Sequence, residues 1–180
     1  MQSITFITGN QKKADYLAKY LWFPIEHMKL DLDEIQSLDL REVIEHKVRQ
    51  AHEKCGKPVL VEDVSLVFED LGGLPWPFIK FFEKELWLQR LCTIIRDDSR
   101  KAVARCTFGY YDGNHLELFE WEIQGTIALA PRWENGFGWD QIFIPYFTDR
   151  TSAELGETEY ERFYTEEKPF QKVREFLLSL

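Results

Sequence analysis

Two adjacent acids, Glu62 and Asp63, follow a short apolar run at 59–61. Behind them come Gly72-Gly73, the corner Pro75-Trp76-Pro77 and a lysine, Lys80, among aromatics. A strand that ends in carboxylates is costly to bury unless a metal or a basic partner compensates the charge. Acids that can hold a hard cation, with lysines that can hold anionic oxygens, make a donor set suited to phosphate chemistry. Three further places add groups of the same kind. Thr8, Asn10 and Lys13 flank a Gly9 turn, Glu34 ends an alternating apolar run, and Lys47 falls on an apolar helical stripe.

The elements that must position these groups follow from periodicity. Residues 3–8 read as a strand, and the Gly9-Asn10 turn leads into a helix at about 11–21 with Tyr16, Leu17, Tyr20 and Leu21 at helical spacing. A strand, a tight turn and a helix start together point unpaired backbone N–H groups outward, which is a natural anion cradle. A plain strand-to-helix turn with Lys13 in solvent fits the same residues. Alternation at Met28, Leu30 and Leu32 puts Glu34 on the apolar face if that strand continues, and in solvent if its end frays. A helix at about 40–54 carries Leu40, Val43, Ile44, Val48 and Ala51 on one stripe with Lys47 among them. That lysine either snorkels outward or reaches a buried anion.

Downstream, the strand at 59–61 is followed by a helix at about 78–95 with Phe81, Phe82, Leu86, Leu91 and Ile95 as core candidates. Strands at 101–111 and 116–129 are joined by Asp112-Gly113-Asn114, a strong hairpin signal. A glycine-bracketed loop at 135–140 precedes a strand at 142–144. If Trp139 is exposed there beside Asp140, it can stack on a base while the acid reads the base edge. Thr151 to Glu154 has capping-box form, and a helix over 169–180 turns Phe170, Val173, Phe176 and Leu177 inward.

The bulk numbers set limits. With 180 residues, 44% of them hydrophobic, the chain suffices for one domain with a full core. A net charge of −9 argues against a nucleic-acid polymer as partner and leaves room for a small polyanion held by a few lysines and a divalent cation. Cys55, Cys92 and Cys106 have no zinc-type spacing and fit free thiols of a reducing cytoplasm. No long uncharged apolar run is present, so no membrane association is expected.

Taken together, TGNQKK at 8–13, LVEDVSLVFEDLGGLPWPFIKFF at 60–82, FGWDQIFIP at 137–145 and TSAEL at 151–155 resemble the inosine triphosphate pyrophosphatase family. The likeness runs nearly end to end in the same order. It implies an elongated, two-lobed α/β fold in which a long mixed sheet floors a central cleft, with helices on both lobes, as a single domain over 1–180 and a homodimer. It further implies Mg²⁺-dependent attack of water on the α-phosphorus of a non-standard purine nucleoside or deoxynucleoside triphosphate, giving the monophosphate and pyrophosphate. Carried over by position, Thr8, Asn10 and Lys13 hold the triphosphate and Glu34 and Asp63 bind Mg²⁺ or position the water. Lys47 and Lys80 neutralise phosphate charge, and Phe137, Trp139 and Asp140 line the base pocket. Asp63 is the candidate general base, with Lys13 and Glu34 completing the catalytic set.

The likeness fails in one segment. Where the family reads the purine 6-oxo group with Ser-His-Arg, this chain has Tyr164, Thr165 and Glu166, and Tyr160 stands in place of the family's lysine. An acid in place of an arginine reverses the hydrogen-bond polarity, so the resemblance leaves three alternatives. The base presents an exocyclic amine or is a modified pyrimidine, Arg162 or Lys168 substitutes for the missing donor, or the chain binds nucleotides without turnover. Two smaller departures are Val64, where the family favours Ser or Thr, and Trp76 between the two prolines.

Overall fold

The structure, a computed structural model, describes residues 4–76, 78–96, 98–133, 138–166 and 168–180. Six strands form one mixed sheet in the order β2-β1-β3-β4-β5-β6. They are β1 (Ile4–Ile7), β2 (Ile25–Met28), β3 (Val59–Phe68), β4 (Lys101–Tyr111), β5 (Leu116–Ile127) and β6 (Phe143–Pro145). Five helices accompany them: α1 (Gln11–Leu21), α2 (Leu40–Cys55), α3 (Ile79–Ile94), α4 (Glu157–Glu166) and α5 (Phe170–Ser179). The α/β class is the one expected. The chain divides into two compact units, the first made of Met1–Asp63, Cys106–Trp121 and Lys168–Leu180, the second of Val64–Arg105 and Glu122–Glu167. Strands β3, β4 and β5 therefore each give residues to both.

In the first unit β1 runs parallel to β2 and to β3, with Phe6 opposite His27 and Leu60. Parallel neighbours require crossover connections, which α1 and α2 supply. Asn10 caps α1, its side chain accepting from the Lys13 N–H, and Asp39 caps α2 by accepting from the Arg41 N–H at 2.8 Å. Gly56, at φ 66°, closes α2 in the left-handed region. Phe6, Leu17, Ile44, Val48, Leu60, Phe108, Phe170 and Val173 are buried, and the Phe108 and Phe170 rings meet at 5.7 Å. β2 is shorter than the alternation suggests. It ends at Met28, and residues 29–37 continue without ladder pairing, although Met28, Leu30 and Leu32 stay half-buried.

The second unit packs α3 on the far portions of β3, β4 and β5 around Leu66, Phe68, Leu91, Ile123, Ile142 and Phe143. Arg100 ties its parts together, donating to the carbonyls of Ile127, Cys92 and Ala128 at 2.6, 2.7 and 2.9 Å. The helix α3 is not one continuous stripe. Trp87 sits at φ 61° and breaks it, and Phe81, expected in the core, is 63% exposed. Trp76 is buried, with its indole N–H unpartnered. The capping box forms as read, but on the short 3-10 turn Ser152–Glu154 that precedes α4. Among the described residues no helix is long and apolar enough to cross a membrane.

Strand β6 pairs antiparallel with β5, Gly125 opposite Pro145. A Cβ at Gly125 would stand 2.4 Å from the Ile144 carbonyl oxygen and 2.6 Å from the Phe143 ring. Gly125→Ala is therefore expected to cost about 2–3 kcal/mol by overpacking. A thermal melt should show this as a fall of roughly 5–10 °C, and an unchanged midpoint would mean that the pair yields freely.

Candidate functional site

Successive side chains of a strand point to opposite faces, so Glu62 and Asp63 cannot share one partner set. The structure separates them accordingly. Both lie inside the ten-residue β3 rather than at its end, a correction to the short strand at 59–61, because the ladder tolerates acids whose charge is met on each face.

Glu62 faces α1 and α5. Its side chain is 2% exposed, with Lys13 Nζ 3.5 Å from Oε2 and Lys168 Nζ hydrogen-bonded to Oε1. The Cys106 thiol donates to Oε1 at 3.4 Å, and burial pushes that thiol up so that it keeps its proton. Burial alone would raise the Glu62 carboxyl as well, but the two ammonium groups outweigh it and hold the carboxyl at about 2. Two ammonium groups thus gather at Glu62 near a helix start whose N–H groups already favour anions.

Asp63 faces α2. Lys47 Nζ lies 3.4 Å from Asp63 Oδ2 and 3.4 Å from Glu34 Oε1. Here one ammonium is shared by two carboxylates. Asp63 is 10% exposed at the side chain and Glu34 49%, so the set opens toward solvent on the Glu34 side. The carboxylates converge on one cationic atom, which is the geometry a divalent ion needs from protein. Mg²⁺ takes one or two carboxylates and fills its octahedron with water and phosphate oxygens, so Glu34 and Asp63 fit it. Among the described residues no group of three or more His, Cys, Asp or Glu could hold a metal.

Thr8 and Asn10 act within their turn. Thr8 Oγ1 accepts from the Asn10 N–H at 3.1 Å, and Asn10 Oδ1 accepts from the Lys13 N–H at 3.4 Å. The solvated reading of Lys13 and the snorkelling reading of Lys47 are both overturned, because each ammonium goes to a β3 carboxylate. Lys168 and Cys106 were missed as members of the set. Their only signal was the unexplained charge of Glu62, since Lys168 lies 106 positions away in sequence.

The second unit holds the remaining candidates. Asp140 is buried on the 3-10 turn Gly138–Gln141 and accepts from the Tyr160 hydroxyl at 2.9 Å. Trp139 is half-buried and meets Phe143 edge-on at 5.6 Å. Lys80 and Glu83 are one turn apart at the start of α3, and Lys80 acts electrostatically on Glu83. Lys13 and Lys168 meet Glu62 and Lys47 meets Asp63, while Lys80 acts electrostatically on Glu83 in this unit. Phe137 and the Glu166 side chain lie outside the described residues. Lys168 is engaged with Glu62 in the first unit, whereas Arg162 borders an open cavity of about 400 Å³ with Arg150, Glu159, Phe147 and Phe163.

An α/β sheet with a cationic set on one face of a strand and a carboxylate pair on the other defines a class that handles phosphates with lysines and a divalent ion. The comparisons narrow the class. The model of the Ham1 family matches residues 4–176. Inosine triphosphate pyrophosphatase from Scheffersomyces stipitis is 36% identical over 195 residues, covering 99% of this chain and all of the relative. The protein of that name from Schizosaccharomyces pombe is 36% identical over 184 residues, covering 99% and 97%. A HAM1 protein from Coxiella burnetii shares the fold at a TM-score of 0.86 and 23% identity over the whole of both chains. The chain belongs to the Ham1 family, a family of nucleoside triphosphate pyrophosphatases.

Proposed function

We propose that this chain is a Mg²⁺-dependent pyrophosphatase of non-standard purine nucleoside triphosphates, ribo or deoxy, with inosine triphosphate as the leading substrate. The observation that carries the reading is Lys47 held between Asp63 and Glu34 on one face of β3, with Lys13 and Lys168 gathered at Glu62 on the other. Residues there match both halves of the chemistry, charge neutralisation and water activation.

Glu34 and Asp63 hold the metal, which when bound neutralises phosphate oxygens. The backbone N–H groups after Asn10, with Thr8 shaping the turn and Lys13 beside it, bind the triphosphate oxygens. Lys13 stabilises the charge that builds up as the bond between the α-phosphorus and its bridging oxygen breaks. Asp63 takes the proton of the attacking water, whose oxygen forms the new bond to the α-phosphorus, and pyrophosphate leaves. Lys47 holds the Asp63 carboxyl in place for that role and, with Lys80, offsets phosphate charge. Trp139, Asp140 and Phe137 meet the base. The resemblance extends the reading to a homodimer in the cytoplasm, and the free thiols Cys55, Cys92 and Cys106 suit a reducing compartment.

Pyrophosphate release from ITP, dITP, XTP, GTP and ATP with Mg²⁺ tests the reading. The 6-oxopurine triphosphates ITP, dITP and XTP are expected to lead ATP in kcat/KM by about tenfold or more. Absence of turnover with every nucleotide would overturn it in favour of a non-catalytic binder.

A further inference from the structure

The base-reading segment that the family carries at 160–166 is replaced, and the second unit contains a buried carboxyl, Glu83, to which the proposed reaction gives no role. Glu83 Oε1 is buried and has no hydrogen-bond partner. It points at the turn of Gly138: a Cβ built there would stand 3.3 Å from Oε1, and Gly138, at φ 58°, keeps that approach open. Two residues on is Asp140, also buried, with one carboxylate oxygen already held by the Tyr160 hydroxyl.

Two neighbouring carboxyl groups out of water do not both ionise readily. Asp140 has the Tyr160 hydroxyl as a donor. Glu83 has none, and burial, followed by the repulsion of Asp140, raises it to about 7, with Lys80 pulling the other way. Among the described residues these two are the charged groups acting on it. Near neutral pH and below, Glu83 therefore offers an O–H donor against the Gly138 turn, within electrostatic reach of the Asp140 carboxyl acceptor two residues on. That is the complement of a lactam edge, an N–H next to a C=O.

We propose that Glu83 is the specificity-determining residue for the base: its carboxyl O–H donates to a purine 6-oxo oxygen while Asp140 accepts from the adjacent ring N–H. The inference rests on the reading of Asp140 as a base-facing group and replaces the arginine donor the family would have used. It deepens the substrate class to 6-oxopurines. A 6-amino base puts a donor against the Glu83 O–H and an acceptor against Asp140, so both contacts turn unfavourable. Once Glu83 loses its proton, the oxo group meets a carboxylate and the preference weakens.

The test is calorimetric titration of the full chain with ITP and with ATP, with Ca²⁺ as the divalent ion, at several pH values. Pyrophosphate release with Mg²⁺ is measured separately. Phosphate titration is common to both nucleotides and cancels in the affinity ratio. In the wild type the ITP-over-ATP preference is expected to fall roughly tenfold between about pH 5.5 and about pH 8. Glu83→Gln, whose amide donates at every pH, should keep the preference flat, and Glu83→Leu should lose it throughout. A flat wild-type ratio, the same slope in Glu83→Gln, full preference in Glu83→Leu, or binding of neither nucleotide overturns the assignment. The expected pattern without any pyrophosphate release sinks the reaction and leaves the base reading standing. Rapid ITP hydrolysis with a pH-independent ratio does the reverse.

Discussion

Asp63→Asn is expected to lower kcat for pyrophosphate release by about 10²–10⁴-fold, the range for loss of a positioned acid or base. The substitution keeps the shape of the side chain and removes its charge. Lys47 retains Glu34 at 3.4 Å, so the ammonium is not orphaned and α2 stays anchored by its buried stripe of Val43, Ile44, Val48 and Ala51. The melting temperature should accordingly move little while activity collapses, a combination that a merely structural residue would not give. Glu34→Gln separates the two roles assigned to the pair. Glu34 is half exposed and serves as ligand only, so raising Mg²⁺ should recover much of its lost rate. The same titration should not rescue Asp63→Asn, because an asparagine cannot take the proton of water at any metal concentration. Near wild-type turnover in Asp63→Asn would remove Asp63 from the mechanism, and full rescue by Mg²⁺ would reduce it to a ligand.

The local parts of this design were legible because each is declared within a few residues. The Gly9-Asn10 turn announces a helix start and Asp112-Gly113-Asn114 a hairpin, and both act as read. The strand β3 was under-read because charged residues were taken to end it. Once it runs through Glu62 and Asp63, the two-residue period of a strand sends the acids to opposite faces, and one expected site becomes two charge sets. The partnership of Glu62 with Lys168 has no local signature, since the residues meet only when α5 packs near α1. Glu83 has no local signature for a related reason: its approach to Gly138 arises only when α3 meets a turn more than fifty residues away in sequence.

Glu62→Leu is the substitution expected to cost the most stability, about 3–5 kcal/mol, because it leaves Lys13 and Lys168 facing each other in a largely buried place without their anion. For a chain of this size the midpoint should drop by roughly 10 °C or more. Lys168→Met should cost less, since Lys13 and the Cys106 thiol still serve Glu62, but it removes one of the two cations of the set and should raise KM for the triphosphate. The pair also predicts a pH window. The folded carboxyl sits at about 2, below its ordinary value of 4.5, so its contribution is complete above pH 4.5 and is lost as pH falls through the folded value. Acid unfolding of the wild type should steepen in that interval, and Glu62→Leu should abolish the steepening. The double variant Glu62→Leu with Lys168→Met removes both members of one ion pair and puts apolar groups in their place, so it should recover part of the stability lost by Glu62→Leu alone. Additive losses in that cycle would mean that Lys168 and Glu62 are not energetically coupled, and the account of Glu62 as the organiser of the cationic set would fall with it.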